Sequence, residues 1–179
     1  MSNIIMVTGG QRSGKSAYAE RTALGLSPHP VYLATAHVWD EEFALRVQRH
    51  QQRRGPEWTN IEEETNLSRH DFTGRVVLVD CVTLWLTNLI ASHLPNKEGT
   101  EEGLEGEDAI LRQATEDFER LVSQDATFIF VTNEIGLGGI SPNTLQRRFT
   151  DLQGRINQHI AQRADKVILM VSGIPVEIK

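Results

Sequence analysis

The stretch "GGQRSGKS", Gly9 to Ser16, constrains this chain more than any other, because it directly follows the apolar run "IIMVT" and leads into residues of helical period. Gly9, Gly14, Lys15 and Ser16 fit G-x-x-x-x-G-K-[ST] in the strand, loop and helix setting that gives this spacing its physical meaning. Glycines let backbone amides turn toward an anion, and the new helix presents its positive end to the same anion. Gly9, Gly10, Gln11, Arg12, Ser13, Gly14, Lys15 and Ser16 therefore form a candidate phosphate cradle. Lys15 is suited to neutralising β- and γ-phosphate oxygens, and the Ser16 hydroxyl to ligating Mg²⁺. A carboxylate at the end of another buried strand should complete the metal's surroundings, and "VVLVD" supplies it in Asp80. Capping of the next helix is the plainer role for such an acid; the glycine loop upstream favours the metal.

The rest of the chain agrees with that opening. Apolar runs of strand length occur at Ile4–Val7, Val31–Ala34, Val76–Val79, Phe128–Val131 and Val167–Val171. Helical period marks Lys15–Leu24, Asp40–Arg54, Leu84–His93, Asp108–Ser123 and Pro142–Arg163, the last with Ser141 and Pro142 as a cap and first turn. This alternation predicts an α/β fold of the P-loop NTPase type: a mainly parallel sheet with helices on both faces. Trp58–Thr65 is a candidate extra strand, and "IPVEIK" a short C-terminal edge strand. With 179 residues and no break in composition, residues 1–179 are expected to form one catalytic domain. Pro95–Asp108, with three glycines, six acids and little to bury, is expected to be a mobile acidic loop.

Charge and cysteine usage narrow the partners. A net charge of −6 and a pI near 5.5 argue against a general nucleic-acid binder and for a small ligand. Cys81 is the single cysteine, so internal disulfides and cysteine-based metal sites are excluded, and a reducing cytoplasm fits. No run suits a signal peptide or a bilayer span, so stable membrane insertion is not expected. The guanine-reading N-K-x-D of G proteins is absent, since "NKEG" at Asn96–Gly99 lacks the acid.

"RVQRHQQRR", Arg46 to Arg54, places His50 among four arginines. On a helix Arg46, His50 and Arg53 or Arg54 share one face. A solvated basic face with a surface histidine accounts for this. So does a nucleophile, because neighbouring guanidinium charges keep imidazole neutral and would stabilise the phosphate oxyanion it attacks.

With that block the chain resembles the bifunctional adenosylcobinamide kinase/adenosylcobinamide-phosphate guanylyltransferase family of cobalamin biosynthesis. The resemblance rests on "VTGGQRSGKS", "YLATA", "RVQRHQQRR", "WTNIEE", "TNEIGLGGI", "FTDLQGRINQ" and "VSGIPVEIK" taken together, over nearly the whole length. It implies that His50 becomes covalently guanylylated. It further implies that Ala34, Thr35 and Ala36 line the nucleotide pocket, that Gln51, Gln52, Arg53 and Arg54 contact the guanylyl group, and that Glu62 contacts the nucleotide. Asp80 stands where some relatives carry glutamate, and Arg49 where some carry a second histidine, which leaves His50 as the nucleophile candidate of the block.

The implied chemistry has two stages. ATP or GTP phosphorylates the aminopropanol hydroxyl of adenosylcobinamide, and GMP from GTP then passes through His50 to that phosphate, giving adenosylcobinamide-GDP and pyrophosphate. Lys15 and His50 are the catalytic candidates, Ser16 and Asp80 the Mg²⁺ ligands, and a homotrimer is the assembly that the resemblance suggests. Glu134, in "VTNEIG", suits a general base or metal-shell acid, and equally a helix-capping or loop-ordering acid. Two rivals remain compatible with the residues: another small-molecule P-loop kinase, in which His50 and its arginines clamp phosphate without a covalent intermediate, and a nucleotide-binding ATPase or regulatory module.

Overall fold

The computed structural model describes residues 2–38, 41–52, 54–93 and 101–179, with backbone alone for 42, 43, 46, 49, 50 and 101–105. Seven strands form one sheet: β1 (Asn3–Gly9), β2 (Val31–Ala34), β3 (Thr59–Glu62), β4 (Val76–Asp80), β5 (Thr127–Val131), β6 (Lys166–Val171) and β7 (Ile174–Glu177). Their order is β3-β2-β4-β5-β1-β6-β7, parallel throughout except for the antiparallel β6–β7 pair. The helices are α1 (Lys15–Leu26), α2 (Glu41–Gln52), α3 (Val82–His93), α4 (Glu101–Val122) and α5 (Thr144–Arg163).

Continuous apolar strands are what a sheet covered on both faces requires, because successive side chains point to opposite sides. In β1, Ile4 and Met6 join the core under α3, α4 and α5, with Trp85, Leu86, Phe118, Leu152 and Ile156. Ile5 and Val7 point the other way, to Ala19 and Ala23 of α1. The same alternation separates Val77 and Val79 from Leu78 in β4, and Phe128 and Phe130 from Ile129 and Val131 in β5. The expected mainly parallel α/β fold with both faces covered is thus present.

Several boundaries differ from expectation. Residues 101–108 are the start of α4 and not part of a loop; Pro95–Thr100 lie outside the described residues. Glutamates are good helix formers, and acids crowded into first turns complement the positive end of the helix dipole, so the charge that argued for a loop also suits a helix start. The cap of α5 is Asn143, whose side chain accepts from the Gln146 amide at 2.9 Å; Ser141 instead accepts from the Asn143 amide at 3.2 Å. The helix begins after Pro142, because only Asn143 is placed to satisfy an amide of the first turn. α2 stops at Gln52, short of the expected Arg54, where Gly55 and Pro56 end the helical run.

The C-terminal ends of β1, β2, β4 and β5 come out along one edge of the sheet. A parallel sheet of this kind builds its ligand site there.

Candidate active site

At the end of β1 the chain makes the turn that the glycines foretold. Gly9 has φ +144° and Gly14 φ +92°. A Cβ on Gly9 would lie 2.5 Å from the Met170 carbonyl of neighbouring β6, so this position accepts no larger residue without moving backbone. Gly14 caps α1 without a side-chain hydrogen bond, and no acid stands in the helix's first turn. The first amides and the dipole of α1 are thereby left for an external anion. The Lys15 side chain is buried, with Nζ donating to the Gly10 carbonyl at 2.6 Å and lying 3.5 Å from Ser13 Oγ. The ammonium is held over the turn.

A support that the sequence reading missed comes from the other end of the chain. Val171 pairs with Ile174 across a two-residue turn, Ser172 and Gly173, both at positive φ, the signature of a tight hairpin. That turn touches the phosphate loop: the Gly173 amide donates to the Ser13 carbonyl at 3.0 Å, and a Cβ on Gly14 would meet Gly173 Cα at 3.4 Å. The "SG" dipeptide signalled the hairpin; nothing local signalled its contact.

Asp80 ends β4, beside Ala34 of β2 and Val131 of β5. Its Oδ2 accepts the Tyr32 hydroxyl at 2.8 Å. Burial, reinforced by the charge of Asp80, raises the Tyr32 phenol well above its ordinary range, so it stays a proton donor to the carboxylate. Cys81 follows, buried; burial and then the Asp80 charge push its thiol up to about 12. Thr35 is buried too, its hydroxyl accepting from the Cys81 amide and donating to the Cys81 carbonyl, each at 2.8 Å. Expected to line the nucleotide pocket, Thr35 spends its side chain joining the loop after β2 to the loop after β4, while Ala34 and Ala36 flank it, half-buried.

Asn88 of α3 clamps the same region, donating to the carbonyls of Thr35 at 2.8 Å and Glu64 at 3.0 Å. Its amide nitrogen is spent on these two carbonyls, and Trp85 is fully buried in the core. Glu63 accepts from the amides of Thr65 and Asn66 and from Arg69. Burial raises its pKa, but the two amides, Arg69 and His70 outweigh that, and the net direction is downward.

The histidine block lies at the β3 edge of the sheet. His50 is on α2 by its backbone, and its side chain, like the whole of Arg53, is outside the described residues. Gln51 Nε2 lies 3.5 Å from Glu62 Oε1, which brings together two of the expected nucleotide contacts, while Gln52 is exposed. Arg54 differs from expectation. It lies beyond α2, so it cannot share a helix face with His50, and its guanidinium stacks 3.6 Å above the Tyr32 ring while Nε donates to Asn60 at 2.8 Å. A planar cation above an aromatic face is a favourable packing partner, and this one links the loop after α2 to the tyrosine that holds Asp80.

Glu134 follows β5, between the ends of β1 and β4. Its amide donates to the Gly9 carbonyl at 3.1 Å, and its carboxylate lies 3.5 Å from the Thr8 hydroxyl. Among the described residues no three His, Cys, Asp or Glu side chains converge as a metal cage. Magnesium bound with a nucleotide needs only one or two protein oxygens besides the phosphates, and Ser16 and Asp80 are hard oxygen donors of that kind. No helix is long and apolar enough to cross a membrane among the described residues.

The profile of the family described as "Cobinamide kinase / cobinamide phosphate guanyltransferase" matches residues 5–178. The "Bifunctional adenosylcobalamin biosynthesis protein CobU" of Escherichia coli (strain K12) is 38% identical over 181 residues, covering 98% of this chain and 99% of that protein. The corresponding CobP of Pseudomonas aeruginosa is 38% identical over 178 residues, covering 97% and 96%. Among solved structures, a "prototypical ATPase from the type III secretion system of pathogenic bacteria" superposes with a TM-score of 0.59 at 13% identity, covering 93% of this chain and 50% of that one. That likeness concerns the fold alone.

Proposed function

We propose a two-stage phosphorus chemistry from one premise: the chain belongs to the cobinamide kinase / cobinamide phosphate guanyltransferase family, and is an enzyme with kinase and nucleotidyltransferase activities. In the first stage the aminopropanol hydroxyl of adenosylcobinamide attacks the γ-phosphorus of ATP or GTP, the nucleoside diphosphate leaves, and adenosylcobinamide phosphate forms. Gly9 to Ser16 hold the phosphates, and Lys15 offsets charge on the transferring group. Glu134, beside the turn, accepts the proton that the hydroxyl gives up. Ser16 and Asp80 hold magnesium, which supplies further charge neutralisation on the phosphates when bound.

In the second stage a ring nitrogen of His50 attacks the α-phosphorus of GTP, pyrophosphate leaves, and GMP is joined to the imidazole. An oxygen of adenosylcobinamide phosphate then attacks the same phosphorus, releasing His50 and giving adenosylcobinamide-GDP. A histidine intermediate divides one displacement between two anions into two easier steps. Gln51, Gln52 and Arg53 attend the guanylyl group with Glu62. Arg54 acts from its seat on Tyr32.

The supporting observation is the start of α1, which no side chain caps, with a buried lysine and a glycine turn, in a chain that matches the family from residue 5 to residue 178. The test is incubation with α-labelled GTP and Mg²⁺ followed by intact-mass measurement. One GMP per chain in the wild type and none in His50→Ala is expected. Phosphorylation of adenosylcobinamide without any adduct would leave the plain kinase, and absence of both activities would revive the ATPase or regulatory module.

A homotrimer remains part of the proposal. Ile174, Val176 and Ile178 stand exposed at the β7 edge, with Ile174 at 65%, and an apolar strand edge of this kind suits a neighbouring subunit. Light scattering on the purified chain reads the assembly directly.

A further inference from the structure

Beneath Glu134 runs a chain of buried polar side chains that the reaction as described does not use. Gln153 and Asn157, one turn apart on α5, are 1% and 5% exposed in a helix face otherwise made of Leu152, Ile156 and Ile160. Asn157 Oδ1 accepts from the Thr132 hydroxyl at 2.7 Å and from Gln153 Nε2 at 2.9 Å, and Gln153 Nε2 also lies 3.0 Å from Thr132 Oγ1. Asn157 Nδ2 then donates to the Asn133 carbonyl at 3.0 Å. From the opposite side, the Thr83 hydroxyl of α3 accepts from both the amide and the side chain of Asn133, each at 3.1 Å. The next amide is that of Glu134, bound to Gly9 of the phosphate turn.

Burying two carboxamides against a sheet is unfavourable unless their hydrogen bonds are recovered. Here one acceptor, Gln153 Oε1, has no hydrogen-bond partner. Leucine at position 153 would remove that unpaired acceptor, whereas leucine at 157 would take from the Thr132 hydroxyl and the Asn133 carbonyl the partners they have here. What the amides supply and leucine cannot is a fixed peptide between residues 133 and 134: its carbonyl is held by α5, its preceding residue by α3, and its amide by the phosphate turn. Three separate elements thus determine where the Glu134 side chain starts.

We infer that Asn157, braced by Gln153 and Thr132, together with Thr83, are positioning residues that set Glu134 against the phosphate turn for phosphoryl transfer. This rests on the reading of that turn as the seat of the transferred group. Misplacement of a reacting group by about 1 Å costs on the order of 10²-fold in rate, so the effect should fall on kcat and not on nucleotide affinity.

The test is a double-mutant cycle. Glu134→Gln should lower kcat for adenosylcobinamide phosphorylation by on the order of 10²-fold or more, as expected for loss of a general base. Asn157→Leu should lower it by about tenfold or more, with KM for the nucleotide changed less than about twofold, and should cost nothing further in the Glu134→Gln background. Should Asn157→Leu fail to fold, Thr83→Val cuts the other tether and should behave alike. Multiplying effects in the double variant, or a raised KM at unchanged kcat, would overturn the inference. Hydrogen exchange gives a readout independent of substrate: amides 133–135 should exchange faster in Asn157→Leu while those of 10–16 do not. If the wild type does not phosphorylate adenosylcobinamide, the functional reading fails, and the exchange result alone still decides whether these residues position Glu134.

Discussion

Around the end of β1, backbone holds backbone: Gly9 accepts the Glu134 amide, Ser13 accepts the Gly173 amide, and Gly9 packs against the Met170 carbonyl. At the β3 edge the described ties between the end of the His50 helix and the sheet run through side chains, Gln51 to Glu62, and Arg54 to Asn60 and Tyr32. The first arrangement is a rigid seat built from three strands and a hairpin. The second is a helix moored by long, rotatable groups. Charge stabilisation at a transferring phosphate gains most from donors that need not reorganise, whereas a residue that takes a group from one molecule and delivers it to another has to meet two partners. The contrast suits the two stages assigned to them.

Substitutions that act on one region and not the other are the sharpest way to break this contrast. Lys15→Ala, in the seat, should reduce both phosphorylation and guanylyl transfer by on the order of 10²–10³-fold, as measured by product formation from γ- and α-labelled nucleotide. Loss of one activity alone would mean that the seat is not shared. His50→Ala should abolish guanylylation and keep most of the phosphorylation rate; equal loss of both in a folded protein would erase the division of labour. Tyr32→Phe bears on the residue where the regions meet, since its ring carries Arg54 and its hydroxyl reaches Asp80. A hydrogen bond to a charged acceptor contributes about 1.5–3 kcal/mol, and denaturant unfolding should show a loss of that size.

The smallest effect concerns acid stability at the edge. Glu63 has a folded pKa below its ordinary 4.5, so its contribution is complete above that value and is lost as pH falls through the folded pKa. Glu63→Gln should therefore be less stable than wild type near neutrality, with the gap closing in unfolding curves taken below about pH 4.5.

The same contrast explains what could be read in advance. β1, β4 and β5 are buried on both faces, so their apolar runs show plainly in sequence, and the phosphate turn is local, with its glycines, lysine and serine within eight residues. The features that were not legible depend on distant partners or on competing local choices. The seat of Arg54 depends on Tyr32, the work of Thr35 on Cys81, and the role of the Ser172–Gly173 turn on Ser13. At residues 101–108 composition argued for a loop, and the chain is helix there. The Asn157 link to Asn133 spans 24 positions and announces itself only as two amides on an apolar helix face.

Cys81 sits one residue past Asp80, 8% exposed and kept as the neutral thiol. A maleimide in the surrounding buffer alkylates this sulfhydryl slowly until the tip of that strand breathes open, because the reactive form is the thiolate and access is narrow. The chain therefore carries its own stopwatch, one chemical label whose rate of uptake counts excursions of the segment bearing Asp80, and whose slowing would register the arrival of whatever clasps it.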